Sequence, residues 1–301
     1  MIILGGSASR VLAWRLAKEL DRKLRMVEVR KFPDGEKYVR VDADVKGENV
    51  VVVQSLCHTP DEFLFEYCLI VDTVKHMGAK KVIGVIPYLA YARMDARLTI
   101  EHKPDPGVAL SPKTLARMVE AAGTDEVYTV DTHLHRLMDV GKVFSVKATN
   151  LTAMPLLADY VRRNFQLKDP IVIAPDEEAE QWAKIVAGRL GTTHDVFEKK
   201  RLGPRSVRIK ARAAKMKGRD VVLVDDIIST GTTIVEATRA ANKQGARRVL
   251  VACTHGILAE NALARIYETG VETVTATDTI PSPVSLVSVA PLLADTLEKL
   301  R

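Results

Sequence analysis

No apolar run in the 301-residue sequence approaches the roughly 18 to 20 residues that span a bilayer. Its opening, Met1-Ile2-Ile3-Leu4-Gly5-Gly6, has neither the basic segment nor the long apolar stretch of a secretory signal. These absences predict a soluble, cytoplasmic protein with no membrane partner. Cysteine is scarce: Cys57, Cys68 and Cys253 are scattered and lack CxxC spacing, so neither a disulfide framework nor a thiolate zinc cluster is indicated. They read as small core residues. Aromatics make up only 5% and do not interleave with basic residues, which argues against a single-strand nucleic-acid surface. Asn and Gln are sparse, a trait of heat-adapted proteins. No GxxxxGK[ST] or GxGxxG segment occurs, so neither common glycine-rich phosphate loop is available.

What is present is the material of a large α/β protein. Hydrophobic residues at 47% and charged residues at 27% can build a real core, and the length suggests two domains of about 150 residues each. The net charge of +6 is spread along the chain, a modest excess that suits phosphorylated substrates as well as nucleic acid. Short β-branched runs at Val50–Val53, Val82–Ile86, Val127–Val130, Ile171–Ala174, Val221–Val224 and Val249–Cys253 alternate with helically spaced apolar residues such as Leu64, Cys68 and Val71. Continuous apolar strands alternating with helices predict mostly parallel sheets covered on both faces. Thr59-Pro60-Asp61-Glu62 reads as a capping box with proline at the first helical position, and the helix should stop at Gly78.

The halves echo one another. Val50–Val53 leads through a helix to Gly78-Ala79-Lys80-Lys81-Val82, and Val221–Val224 leads through a helix to Gly245-Ala246-Arg247-Arg248-Val249. The strands lie 171 positions apart and the glycines 167, a difference of about one helical turn. The echo suggests two domains of one strand–helix–strand architecture, with a boundary near residues 145 to 150.

The sharpest chemical signal is Val221-Val222-Leu223-Val224-Asp225-Asp226-Ile227-Ile228-Ser229-Thr230-Gly231-Thr232-Thr233. An apolar strand ends in two acids, a hydroxyl-rich turn follows, and a helix begins. Backbone N–H groups, hydroxyls and a helix N-terminus then surround one point at the carboxyl end of a strand, a site suited to a phosphate monoester. The paired acids would serve a sugar's vicinal hydroxyls or a hard divalent cation.

This stretch resembles the phosphoribosyl-pyrophosphate (PRPP) loop of the phosphoribosyltransferase fold. Five further segments extend the likeness to the ribose-phosphate pyrophosphokinase (PRPP synthetase) family: Phe32-Pro33-Asp34-Gly35-Glu36, Pro87-Tyr88-Leu89-Ala90-Tyr91-Ala92-Arg93-Met94-Asp95, Val130-Asp131-Thr132-His133, Ala174-Pro175-Asp176 and Lys199-Lys200-Arg201. They stand in that family's order and cover nearly the whole chain. The resemblance implies an α/β fold of two phosphoribosyltransferase-like domains, each a mostly parallel sheet flanked by helices. Residues 1–145 would bind ATP, with 281–301 returning to them, and 146–280 would bind ribose 5-phosphate.

The implied reaction is ATP + ribose 5-phosphate → PRPP + AMP, a Mg²⁺-dependent step of nucleotide biosynthesis. ATP would contact Phe32, Asp34, Glu36, Arg93, Asp95 and His133, with Phe32 stacking on adenine and Asp34 and Glu36 accepting from its amino group. Arg93 would clamp polyphosphate oxygens. Ribose 5-phosphate would contact Asp225, Asp226, Ser229, Thr230, Gly231, Thr232 and Thr233. His133 and Asp176 would take the metal; among acids and phosphates Mg²⁺ is the favoured ion, and His135 shares the side of His133 on an extended segment. Lys199 and Arg201 would be catalytic, on a loop that closes over the reacting groups. A homodimer or larger homo-oligomer is implied, and no nucleic-acid partner.

Three positions depart from the family's common pattern. Met94 replaces a glutamine and removes an amide from the nucleotide segment. Ser229 stands where many bacterial members carry aspartate, and Thr232 where glycine is common. Two rivals stand beside this reading: a PRPP-consuming phosphoribosyltransferase, which has no need of Phe32, Asp34, Glu36 or Arg93, and a non-catalytic regulatory subunit, which would not need Lys199, Arg201, Asp225 and Asp226.

Overall fold

The valine and isoleucine runs become the central strands of two parallel sheets, each buried on both faces. The computed structural model describes residues 1–99, 103–134, 137, 139–203, 206–211 and 215–300, with backbone alone for 199–203, 206–211 and 300. His135 lies outside the described residues.

The chain divides into two compact units: residues 1–151 with 279–281 and 288–301, and residues 152–278 with 282–287. The first contains β1 (Ile2–Gly5), α1 (Arg10–Glu19), β2 (Lys23–Met26), β3 (Glu28–Lys31), β4 (Lys37–Arg40), β5 (Asn49–Val53), α2 (Pro60–His76), β6 (Lys81–Val85), α3 (Ser111–Ala121), β7 (Glu126–Val130) and β8 (Lys147–Leu151). The second contains α4 (Met154–Asn164), β9 (Ile171–Ala174), α5 (Glu180–Leu190), β10 (Thr193–Gly203), β11 (Ser206–Ala211), β12 (Asp220–Ile228), α6 (Thr232–Lys243), β13 (Arg248–Gly256), α7 (Ala262–Tyr267), β14 (Val271–Thr277) and β15 (Ser285–Val287). The chain then closes with α8 (Ala290–Leu297), which packs on α1 in the first unit.

The sheets share one topology. The first runs β2-β1-β5-β6-β7-β8, and the second runs β10-β9-β12-β13-β14-β15 with β11 added antiparallel on the β10 edge. Even the register repeats, since Ile2 lies opposite Val50 and Ile171 opposite Val221. So do the turns: the Gly47 amide donates to the Gly78 carbonyl at 2.8 Å and the Gly218 amide to the Gly245 carbonyl at 2.8 Å. All four glycines have positive φ, between 73° and 88°, a conformation that costs glycine nothing. In each sheet the order reverses between two central strands, β1 and β5 or β9 and β12. A crevice at the carboxyl ends of such a reversal is the usual ligand position of open α/β sheets.

Several sequence expectations need adjusting. The 145/146 boundary is displaced because β8 pairs with β7; as an edge strand, half exposed, Lys147–Leu151 lacks a continuous apolar run and reads as a linker. Residues 282–287 belong to the second unit, where β15 extends the sheet, so the returning segment is 279–281 and 288–301. Helix α2 starts at Pro60 and ends at His76, but the Thr59 side chain makes no cap hydrogen bond. Glu62 turns to Lys31 instead, 2.9 Å away. Finally, Lys199-Lys200-Arg201 lies on a β-hairpin, with Lys199 opposite Ile209 and Arg201 opposite Val207; their side chains lie outside the described part. β-Hairpin pairing of a basic run leaves no apolar alternation for sequence to show.

Candidate active site

In the second unit the order reversal brings acids together. β9 ends at Ala174, and Asp176 follows after Pro175; β12 carries Asp225 and Asp226 beside it. Asp226 is buried and Asp225 and Asp176 are half-buried, whereas Glu177 and Glu178 are exposed. Burial and the neighbouring Asp226 and Asp176 carboxylates push the Asp225 carboxyl well above the usual carboxylate range. The same surroundings push up the buried Cys253 thiol, through burial first and then Asp225 and Asp226. Burial alone raises Cys68 to about 11, and it outweighs a backbone hydrogen bond in raising Cys57 to about 11, so these cysteines remain thiols as core residues do.

Beyond β12 the chain turns through Ser229, Thr230 and Gly231 into α6. Gly231 has φ 74° and caps the helix without a side-chain hydrogen bond. A Cβ on it would lie 3.0 Å from Ile266 Cδ1 and 3.2 Å from Ala262 Cβ, so α7 leaves room for glycine alone. The turn is held from behind by Arg265, which donates to the Thr230 carbonyl, and by the Leu258 and Ala259 amides, which donate to Ile228 and Ser229 carbonyls at 3.0 and 3.1 Å. The Thr230 and Thr232 hydroxyls lie 3.3 Å apart, with Thr232 exposed and Ser229, Thr230 and Thr233 half-buried. The first N–H groups of a helix have no intrahelical acceptor. The arrangement therefore offers hydroxyls and a helix N-terminus to an anion, next to a patch of carboxylates.

In the first unit Phe32, Asp34 and Glu36 occupy the tip of the β3–β4 hairpin, and all three are exposed. The tip is shaped by the Phe32 amide donating to Glu36 at 2.8 Å, the Gly35 amide to Phe32 at 2.9 Å, and Gly35 at φ 99°. Phe32 and Tyr38 meet nearly at right angles with ring centroids 6.4 Å apart, and Phe32 is 51% exposed. Arg93 follows β6 and His133 follows β7, adjacent parallel strands, so both stand at the carboxyl end of this sheet. Arg93 is exposed and His133 half-buried. Asp95 differs: it is 3% exposed and accepts from the Leu137 amide at 3.2 Å, which turns it into the protein. Met94 is 38% exposed.

Sequence reasoning missed what fills the first unit's crevice. Glu66, on α2, is fully buried, and its carboxylate accepts from the Ser7 amide and hydroxyl (2.8 Å each), Gln54 Nε2 (2.9 Å) and Lys37 Nζ (2.7 Å). Gln54 Oε1 accepts in turn from the Ala8 amide at 3.1 Å. The partners lie 59, 12 and 29 residues from Glu66, so no local pattern announces them.

Comparison with known proteins follows the same two-part division. A family profile for the N-terminal domain of ribose phosphate pyrophosphokinase matches residues 1–123, and one for the phosphoribosyl transferase domain matches 146–288. The ribose-phosphate pyrophosphokinase of Methanothermobacter thermautotrophicus is 44% identical over 297 residues, 99% of this chain and 100% of the relative. That of Methanopyrus kandleri is 42% identical over 300 residues, 100% of this chain and 99% of the relative. The crystal structure of phosphoribosylpyrophosphate synthetase from Mycobacterium smegmatis aligns with a TM-score of 0.85 at 30% identity, covering 99% of this chain and 98% of that one.

Proposed function

The chain belongs to the ribose-phosphate pyrophosphokinase family and is an enzyme of PRPP synthesis; from that premise we propose that it transfers the diphosphoryl group of ATP to the C1 hydroxyl of ribose 5-phosphate. The C1 oxygen attacks the β-phosphorus, the bond from that phosphorus to the α-phosphate's bridging oxygen breaks, AMP leaves, and the hydroxyl proton is released. The observation that carries the reading is the pairing, at one strand reversal, of a hydroxyl-bearing turn at a helix N-terminus with three carboxylates.

Residues 152–278 with 282–287 form the ribose 5-phosphate unit. Ser229, Thr230, Gly231, Thr232 and Thr233 receive the 5-phosphate through hydroxyls and backbone N–H groups. Asp225 and Asp226 accept from the ribose hydroxyls, which fixes C1 for in-line attack. In the first unit, Phe32 stacks on the nucleotide base, Asp34 and Glu36 accept from its amino group, and Arg93 holds phosphate oxygens. Asp95 supports that segment from inside.

The donor chemistry fits Mg²⁺. Burial first, and then the Asp226 and Asp176 carboxylates beside it, raise the Asp225 carboxyl, and a hard cation would relieve the crowding of these acids. Asp176 would hold such an ion in the second unit, and His133 would offer a ligand in the first. When bound, the ion neutralises phosphate charge. Lys199 and Arg201, on the β10–β11 hairpin, stabilise the transferring β-phosphoryl group.

The enzyme works as a homodimer or larger homo-oligomer, which sedimentation velocity tests. No helix among the described residues is long and apolar enough to cross a membrane, in keeping with a cytoplasmic enzyme. The direct test incubates purified protein with ATP, ribose 5-phosphate and Mg²⁺ and follows products by chromatography. Equal AMP and PRPP, dependent on all three components, is the expected result; intact ATP would contradict it.

A further inference from the structure

The β3–β4 hairpin carries the proposed base-binding tip, yet by itself it is too small to hold a conformation. Its strands are four residues each and form a separate two-stranded sheet, and isolated hairpins are marginal in water. Val29 and Val39 rest against the first unit's core. Under the tip there is little to rest on: a cavity of about 380 Å³ is lined by Gly35, Glu36, Lys37, Glu62, Phe65 and Leu69. What joins the tip to the body is Lys37, the residue directly after Glu36. Its ammonium reaches Glu66 at 2.7 Å and lies 5.1 Å from the Phe63 ring centroid. The side chains of Lys37 and Glu66 are 9% and 0% exposed, so the pair is shielded from the solvent screening that weakens surface bridges. Lys31, at the other foot of the tip, pairs with Glu62 at 2.9 Å, but half in solvent.

Glu66 is also fixed from the opposite side. The Ser7 amide and hydroxyl and the Gln54 amide nitrogen satisfy its remaining lone pairs, tying it to the turn after β1 and to the end of β5. The hairpin tip is thereby connected, through two buried side chains, to the two central strands of the sheet.

We propose that Glu66 and Lys37 are positioning residues for the nucleotide: they preset the tip bearing Phe32, Asp34 and Glu36, so that ATP binds without having to order it. Removing the anchor makes nucleotide binding bear the ordering entropy. The effect falls on the ATP half of the reaction and spares the sugar half. This inference rests on the reading of the tip as the base-binding segment.

The test uses the full chain with Lys37→Met, which keeps the aliphatic stem, and Glu66→Gln, which keeps the shape; Lys37→Arg is the conservative control. Hydrogen exchange read by mass spectrometry should show residues 28–40 exchanging at least about tenfold faster in the first two variants, with residues 220–243 unchanged as the mark of an intact fold. The KM for ATP should rise about tenfold while that for ribose 5-phosphate stays within about twofold, and Lys37→Arg should stay near wild type. Unchanged exchange in residues 28–40 would overturn the anchor. Faster exchange with an unchanged KM for ATP would overturn the positioning role. Phe32→Ala then separates the causes: an unaffected KM for ATP there faults the base-binding reading, and a raised one faults the anchor alone.

Discussion

The two units present the same crevice and use it in opposite ways. Counting five residues beyond Ile2 and Ile171 places Ser7 where the second unit has Asp176; four and five beyond Val50 and Val221 place Gln54 and Ser55 at Asp225 and Asp226. Twelve residues before the matched glycines Gly78 and Gly245, Glu66 stands in the place of Thr233. The first unit therefore has neutral side chains where the second has acids, and a carboxylate where the second has a hydroxyl of its anion turn. Glu66 takes the donors that an anion would take, and the crevice is satisfied from within. In the second unit the acids crowd one another, and the turn before α6 carries the Ser229, Thr230, Thr232 and Thr233 hydroxyls, which the proposed reading gives to the 5-phosphate. A repeated backbone thus specifies where a ligand can sit, and a few side chains decide whether one does.

A second contrast lies at the sheet edges. β2 stops after four residues, whereas its counterpart β10 runs for eleven and turns back as β11. The extension carries Lys199 and Arg201. If catalysis resides in this addition, Lys199→Ala should lower kcat by about 10²–10³-fold while ribose 5-phosphate affinity changes less than about twofold; a loss carried through KM alone would remove Lys199 from the transition state.

The two ends of β12 sharpen the comparison between filled and open sites. At its start Asp220 is buried, as Asp226 is, but it is surrounded by cationic and N–H donors. Arg247 holds it at 2.6 Å, Arg248 at 3.1 Å and the Lys168 amide at 2.7 Å. Burial works to raise its carboxyl, yet these donors hold it below the usual carboxylate range. A depressed folded pKa gives stability that is present above the unfolded value and lost as pH falls through the folded one. Asp220→Asn should therefore cost about 3 kcal/mol at neutral pH, with the gap to wild type closing as pH falls below about 4; urea titration at several pH values measures both. Substrate KM values should not move.

Asp225→Asn should do the reverse. Ribose 5-phosphate affinity should weaken about ten- to hundredfold by calorimetry. Removing one charge from the crowded acids should also raise the melting temperature of the ligand-free enzyme by a few degrees at neutral pH, on the order of 1 kcal/mol. Unchanged affinity, or a lower melting temperature, would make Asp225 a structural residue like Asp220.

Much of this was legible in the sequence wherever the signal is local. The inner strands β5, β6, β7, β9, β12 and β13 announce themselves because burial on both faces favours runs of valine and isoleucine, and α2 and its stop at Gly78 follow from Pro60 and the positive φ beyond the last turn. The anion turn is one contiguous stretch. Edge elements were not legible: β8 and the β10–β11 hairpin are partly polar, and their pairing partners, not their own periodicity, make them strands. Nor was the inward turn of Asp95, which depends on Leu137, or the Glu66 cluster, whose members meet only after the sheet has formed. Ser7 and Gln54 carry no chemical signature until the repeat is laid over Asp176 and Asp225.

The measurement that bears most directly on the contrast is hydrogen exchange of the full chain with and without ribose 5-phosphate. A single open crevice predicts slower exchange at residues 226–234, the turn from β12 into α6, with residues 6–9 and 54–66 unchanged. Protection of residues 6–9 and 54–66 in place of 226–234 would mean that the sugar phosphate displaces Glu66, and that the wrong unit has been read as filled.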